Sequence, residues 1–519
     1  MSSTASSGAR DSEHDHAQKH ATSKTWVIIA VMLAMFLAAL DMTIIGTAMP
    51  SIIGDLHGVS IYSWVFSAYL LTSTVPIPLF AKLSDMYGRK KLFIINSAIF
   101  TIGSLLCGVS NNMPELIAFR ALQGVGAAGV LPIALTIVGD VFTLEQRARI
   151  QGFFSAVWGI SAIIGPLLGA FIVEYSSWRY VFEINVPIGI LVMIVLGLTF
   201  KEHASHKAHK LDWLGTLLLT TGVTVLLLTL IQHSDHLAAP YSLAMFAVAG
   251  ILLAAFGFWE QRAKEPVLPS AIFRHRMILV ANLVSFFGGM ILFGLISYIP
   301  LFVQGVQGGS PTLAGRAITP MMVGWPLAAL VGGPLIMRIG YRIVGVAGGT
   351  LIAVGSWILI ATGAPHTLDI DAGLLLIGLG MGLTLTGLLI AAQNAVAWNL
   401  RGAVTGSNQF FRTIGGSIGV AAMGAILNQQ MATRVAASGL ASKVNLNSVT
   451  ESLLKAKARA ALAPSIRTAF TRMFGGALHD VFIASFVFAV TLFALVLFIP
   501  GGKAHKHAAA HQAESQPRR

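Results

Sequence analysis

Apolar stretches of roughly 20 residues recur along the chain from Trp26 to Pro500, each long enough to cross a bilayer as a helix. Inside hydrocarbon every backbone N–H and C=O must find a partner within the protein, so only helices and closed barrels span it. Barrel strands would show as short alternating segments, whereas these runs are long and continuous. The sequence therefore specifies an all-α polytopic membrane protein. Charge content agrees: 55% of the 519 residues are hydrophobic and 11% charged, against about 25% charged in a soluble domain. Lipid must cover much of such a chain. The spans fall at about 26–49, 62–83, 92–110, 114–139, 149–172, 180–199, 212–232, 241–259, 277–303, 313–337, 343–362, 371–397, 405–427 and 479–500, which makes about 14 helices.

A formal net charge of +13 does not mark a nucleic-acid binder here, because Lys and Arg sit in short loops and tails between the apolar runs. They cluster at Arg89-Lys90-Lys91, Arg147/Arg149, Lys201/Lys207/Lys210, Arg262/Lys264/Arg274/Arg276, Arg338/Arg342 and beyond Pro500. With an even number of spans and both termini inside, every cluster falls on the cytoplasmic side, as the positive-inside rule demands. The short outer loops then carry only Arg179 and Arg316. A longer outer loop, 428–478, is exempt from that rule, and Ser448–Glu451 within it reads as a capping box. Residues 1–25 and 501–519 are polar and read as cytoplasmic tails, the first of them disordered. Cys107 is the single cysteine, which excludes an intrachain disulfide. The tail histidines His14, His16, His20, His505, His507 and His511 lack the ordered backbone of a metal site, so no metal is expected.

An internal repeat divides the chain. Ala81-Lys-Leu-Ser-Asp-Met-Tyr-Gly-Arg-Lys-Lys91 is echoed by Gly333-Pro-Leu-Ile-Met-Arg-Ile-Gly-Tyr-Arg-Ile343, with Leu83, Gly88 and Lys90 matching Leu335, Gly340 and Arg342. Both loops are cytoplasmic, one after the second span and one after the tenth. Two parallel six-helix lobes, 26–200 and 277–500, fit this pattern, with two inserted helices and their linkers at 201–276.

Loop 81–91 resembles the major facilitator signature Gly-x-Leu-x-Asp-x-x-Gly-Arg-Lys/Arg. Leu40-Asp-Met-Thr-Ile-Ile-Gly-Thr-Ala-Met-Pro50 resembles the first-helix motif of that superfamily's 14-helix drug:proton antiporters. Phe119-Arg-Ala-Leu-Gln-Gly-Val-Gly-Ala-Ala-Gly129 is similar to their fourth-helix motif. Gly159-Ile-Ser-Ala-Ile-Ile-Gly-Pro-Leu-Leu-Gly169 is similar to their fifth-helix antiporter motif, and Trp178-Arg-Tyr-Val-Phe-Glu-Ile-Asn-Val-Pro187 to the opening of their sixth helix. The matches come in order and in the right spans. Three positions depart from the pattern: Ala81 replaces the first Gly of the signature, Gly46 stands where Asn is usual, and Glu183 where an apolar residue is usual.

Asp41 lies in the middle of an apolar run. An acid there costs about 2.5–3.5 kcal/mol, so it faces a cavity or a partner. It is either a carboxylate that binds and releases a proton or half of a structural ion pair. Arg120 lies at similar depth, roughly 9 Å from the outer face against roughly 13 Å for Asp41 at 1.5 Å per residue. The resemblance implies a proton-linked role for Arg120; stabilisation of the bundle is the plainer reading. Glu183 is shallower, and either shares protons and attracts cations or sits at the wet interface with Arg179. Asp85 and Arg89 are spaced to pair around Gly88 and form a candidate cytoplasmic gate against the start of span 13. Gly159, Gly165, Pro166 and Gly169 give span 5 a flat, kinked packing face, with span 10 its expected partner. Candidate cavity residues are Trp64, Tyr69, Thr72, Phe287, Tyr298, Trp325, Gln393, Asn394, Asn408 and Gln409, each alternatively a packing residue.

The resemblance implies a monomeric proton antiporter in the cell membrane that expels hydrophobic, often cationic, amphiphiles. No ATP-binding Gly-x-x-x-x-Gly-Lys-Ser/Thr loop occurs, so the proton gradient is the expected energy source, with no cofactor. No clustered nucleophile, base or metal set points to an enzyme. Export of an endogenous metabolite, lipid or peptide, and a non-transporting membrane sensor, are the alternatives.

Overall fold

The computed structural model describes residues 5–141, 144–200, 212–232, 239–263, 266, 273–361, 366–396, 401–438, 453–454, 459 and 463–500. Among them there is no strand, and eleven helices are long and apolar enough to cross a membrane. The helices run α1 (Ala5–Leu56), α2 (Ser63–Thr74), α3 (Ile77–Tyr87), α4 (Arg89–Gly108), α5 (Met113–Val141), α6 (Leu144–Tyr175), α7 (Tyr180–Glu183), α8 (Asn185–Thr199), α9 (Trp213–Gln232) and α10 (Ala239–Glu260). The second half holds α11 (Arg276–Gly305), α12 (Pro311–Ile339), α13 (Tyr341–Ala361), α14 (Thr367–Asn394), α15 (Arg401–Ala437) and α16 (Pro464–Leu497). Expected span 2 is broken into α2 and α3 where Pro76 and Pro78 supply no backbone N–H for the helical ladder.

Two boundaries correct the sequence reading. The helix α1 begins at Ala5, inside the segment expected to be disordered. No proline interrupts the chain before Pro50, so the backbone ladder of the first span can extend back through this segment. The loop expected at 428–478 is helical at both ends, because α15 runs on to Ala437 and α16 starts at Pro464. Its buried residues recur at helical spacing, with Leu427, Met431 and Val435 on one side and Phe470, Phe474, Ala477 and Leu478 on the other. Polar residues between them had masked that period. The Ser448–Glu451 capping box lies outside the described residues, as do the C-terminal tail and the side chains of its N-terminal counterpart.

Helices α1–α8 pack into one lobe and α11–α16 into a second, with α9 leaning on α15 and α2 at their junction. The two ends of this pair of lobes differ. Around the Leu56 end of α1 a single apolar core takes in both lobes, joining Ile44–Leu56, Tyr62 and Phe66 to Ile291–Val303, Met423 and Leu427. At the other end each lobe has a core of its own, and only a smaller cluster, Leu71 and Val75 with Phe410 and Ile414, joins them. One core holds Val27–Met35 with α4, α5 and α8, the other Ile336, Tyr341, Val344 and Ala391.

Polar contacts follow the same division. Ser67 and Ser417 exchange hydrogen bonds, each hydroxyl donating to the other's carbonyl at 3.1 and 3.0 Å. Asn428 Nδ2 donates to the Ser60 carbonyl at 2.7 Å, and Thr312 to Glu174. Tyr62 meets Tyr298 edge to face with ring centres 5.6 Å apart. All of these join the lobes in the half containing Leu56.

Candidate functional site

Small residues set how closely the helices of the first lobe approach. A Cβ on Gly165 would lie 2.0 Å from Thr43 Oγ1, and one on Gly169 2.5 Å from Thr47 Oγ1. Only glycine lets α6 lie this close to α1. Pro166 turns to the other lobe, where its carbonyl would sit 2.6 Å from a Cβ on Gly315 of α12. Gly159 faces Pro326 of the same helix at ordinary contact distance. The antiporter-motif helix thus packs on α1 and α12 together.

Asp41 is fully buried by this packing, and Arg120 Nη1 donates to its Oδ2 at 2.6 Å. Burying one ion alone would be prohibitive; a pair survives where the remaining valences are also met. They are met here. The same Arg120 nitrogen donates to Gln123 Oε1 at 2.7 Å, and Gln123 Nε2 donates to Asp41 Oδ1 at 2.9 Å. Asn185 Nδ2 donates to Asp41 Oδ1 at 3.1 Å and to Ser104 Oγ at 3.0 Å, while Ser104 donates to the Phe182 carbonyl at 2.8 Å. Tyr69 lays its ring against the guanidinium, 3.9 Å from centroid to Cζ, within cation–π range. Helices α5 and α8 thereby bond one carboxylate of α1 directly, and α4 supports it through Ser104 and Asn185.

Gln123 and Asn185 were not singled out from sequence, although both lie inside the quoted motifs. For Gln123 the signal was present: three residues from Arg120, it shares that residue's helical face. Glu183, two residues before Asn185, is half-buried beside Gly108 and makes none of the hydrogen bonds around Asp41.

At the expected gate, Gly88 has φ +100° and separates α3 from α4, a conformation that side chains disfavour. Arg89 opens α4 and is half-buried. The Asp85 side chain lies outside the described residues.

The candidate cavity residues divide. Tyr69 joins the Asp41 pair. Trp64 packs on the α2–α9–α15 junction, and Thr72 bonds back to the Ala68 carbonyl at 2.9 Å. Phe287 stacks between Phe286 and Phe488, and Tyr298 donates to the Val420 carbonyl at 2.9 Å. Gln393 bonds Thr405, Asn394 bonds the Tyr341 hydroxyl, and Asn408 bonds the Ala281 carbonyl and Asn282. Trp325 and Gln409 meet at a residue absent from the sequence expectations: Arg412 donates to Gln409 Oε1, and its Cζ lies 5.7 Å from the Trp325 ring centre. An arginine within an expected span at 405–427 was itself a sufficient signal.

Residues 31–420 match the family model described as Major Facilitator Superfamily. The chain is 37% identical over 416 residues to the multidrug transporter protein MdtP of Bacillus subtilis, covering 78% of this chain and 76% of that one. It is 33% identical over 412 residues to multidrug resistance protein 3 of the same organism, covering 79% and 80%. Its fold superposes with TM-score 0.68 on a bacterial homologue of the human lysosomal transporter Spinster, in an inward-facing and unoccupied conformation. That alignment covers 94% of this chain and 98% of the other at 19% identity, a likeness of fold alone.

Proposed function

This chain belongs to the Major Facilitator Superfamily and is a membrane transporter rather than an enzyme, and from that premise we propose that it exports hydrophobic, often cationic, amphiphiles in exchange for protons. The observation that carries the reading is the carboxylate of Asp41. It is buried in mid-membrane, balanced by Arg120, and held by the amides of Gln123 on α5 and Asn185 on α8. A carboxylate on α1 whose partners come from α5 and α8 senses any movement among the three helices. Protonation cancels its half of the ion pair and frees Arg120 and the amides to re-pair, which couples proton binding to rearrangement of the lobe.

In the proposed cycle cargo enters at the end where the lobes have separate cores, which the basic loops assign to the cytoplasm. The lobes then rock about the site, cargo leaves on the far side, and a proton entering there reaches Asp41 and returns with the lobes. The segments α2–α3, α6 and α12 complete 14 crossings of a cell membrane with the eleven apolar helices, and both termini lie on its cytoplasmic side. Two Bacillus relatives named for multidrug transport and resistance support the choice of cargo.

The test is ethidium efflux from energised cells or inverted vesicles, wild type beside Asp41→Asn, with and without an uncoupler. The reading expects both the uncoupler and the substitution to stop efflux. Efflux that persists with the uncoupler present removes the proton from the mechanism, and a membrane-inserted wild type that never moves ethidium removes the drug cargo.

A further inference from the structure

The second lobe holds a cation that the proton-coupling site does not use. Arg412 lies on α15, eight residues beyond Val404 where the apolar part of that helix begins, or roughly 12 Å into the span. Its carbonyl is packed against Gly289 of α11, where a Cβ would come within 1.9 Å. One turn further along the same face, Gly416 meets the Phe293 ring of α11. Phe293 in turn packs against Leu37, Tyr69 and Leu70 of the first lobe. Arg412 thus stands one turn from the ring that joins the two lobes, on the side of it nearer the start of α15.

No described group neutralises its charge. Among the described residues no carboxylate lies within ion-pair distance of Arg412, which bonds only the neutral amide of Gln409. The sequence explains why. Between Met277 and Thr433 the only acids are Asp369 and Asp371, both in the first turns of α14, and Asp371 pairs with Arg316. In the first lobe Asp41 and Arg120 cancel each other. Among the described residues the interior therefore carries a positive charge with no carboxylate to balance it, half-buried rather than sealed, with an indole beside it. An unpaired charge at this depth is costly, and its position next to a flat aromatic group suits an acid joined to an apolar body.

We propose that Arg412, with Gln409 and Trp325, is the receptor for the anionic group of an amphiphile, a carboxylate or phosphate attached to an aromatic or aliphatic body. The guanidinium takes the acid through two parallel N–H donors, and Trp325 stacks on the apolar part. This rests on the export reading and widens it: lipophilic acids and zwitterions join the cations as cargo. A bilayer phospholipid headgroup offers the same chemistry, so the test separates the two sources.

The experiment measures binding to the full chain in phosphatidylcholine nanodiscs, with 1-pyrenebutyrate and its uncharged analogue 1-pyrenebutanol as probes. Energy transfer from protein tryptophan reports binding, with empty discs subtracted. In wild type the acid binds at least tenfold tighter than the alcohol. In Arg412→Gln that ratio falls to near one, and Arg412→Lys, which keeps the charge but not the fork, falls between them. A ratio unchanged in Arg412→Gln, with Arg412→Lys folded and equally unaffected, overturns the proposal. Adding phosphatidylglycerol then assigns the source: competition in wild type alone supports a lipid acid at the site, and its absence supports a cargo acid. Binding is read without a proton gradient, so a lost ratio with intact ethidium efflux, or the reverse, tells failure of this site from failure of the export reading.

Discussion

Asn185 donates to Asp41 Oδ1 at 3.1 Å, tying the first turn of α8 to the middle of α1. A hydrogen bond to a charged group is worth about 1.5–3 kcal/mol when both partners are buried. Asn185→Ala should therefore lower proton-driven ethidium efflux on the order of tenfold while the protein still reaches the membrane. Asn185→Asp sets a second acid beside Asp41 and should lower it further. Initial efflux rates at matched membrane abundance check both; an Asn185→Ala variant with wild-type rates would remove this residue from the coupling machinery.

The reciprocal Ser67–Ser417 hydrogen bonds fasten the two lobes in the half that contains Leu56. Alternating access requires that contact to break. With cysteines at both positions, oxidation should link α2 to α15, stop efflux, and be reversed by reductant. The native Cys107 is buried and apart from this seam, so a Cys107→Ser background serves only to simplify the readout. A linked protein that transports at the wild-type rate would mean that this seam does not part during the cycle.

Gly46 permits the same closed end. A Cβ there would lie 2.7 Å from the carbonyl oxygen of Ile296, a backbone atom that no rotamer change moves aside. Gly46→Asn, which restores the residue usual in the resembling family, should favour the arrangement with this end open. The observable is a severalfold lower Ser67–Ser417 cross-linking yield in the same cysteine pair. An unchanged yield would show that α1 and α11 yield easily at this point.

Gly165→Ala places its new methyl on Thr43. Overpacking of this kind costs about 1–3 kcal/mol, and part of it should return in the double variant Gly165→Ala/Thr43→Ala, because neighbouring substitutions are not additive. Thermal unfolding in detergent of the two single variants and the double variant measures the coupling. Strict additivity would place the α1–α6 contact elsewhere.

Much of this architecture was legible in the sequence, because a bilayer leaves few solutions for long apolar runs. Asp41 and Arg120 were legible for the same reason: a charge in hydrocarbon needs a partner, and comparable depth identified one. Gln123 and Asn185 were harder, since a neutral amide in an apolar helix carries no comparable penalty and its partner depends on helix rotation. Glu183 drew attention as an acid, but rotation turns it beside Gly108 and puts Asn185 inward instead. The ends of α15 and α16 were missed because arginine and glutamine interrupt the hydropathy while the buried residues keep their spacing. Gly46 looked like a lost polar group; its contact with Ile296 belongs to the other lobe, which local sequence does not describe.

The shared core at one end and the divided cores at the other make the two openings thermodynamically unequal. Parting the Leu56 end exposes a finished apolar surface to water, at roughly 25 cal/mol for every Å² wetted, whereas the lobes at the opposite end share only the smaller cluster of Leu71 and Val75 with Phe410 and Ile414. The empty carrier has a built-in resting posture. A ligand shifts such a balance only by its difference in affinity for the two postures, so cargo and proton act as the springs of the cycle as well as its passengers.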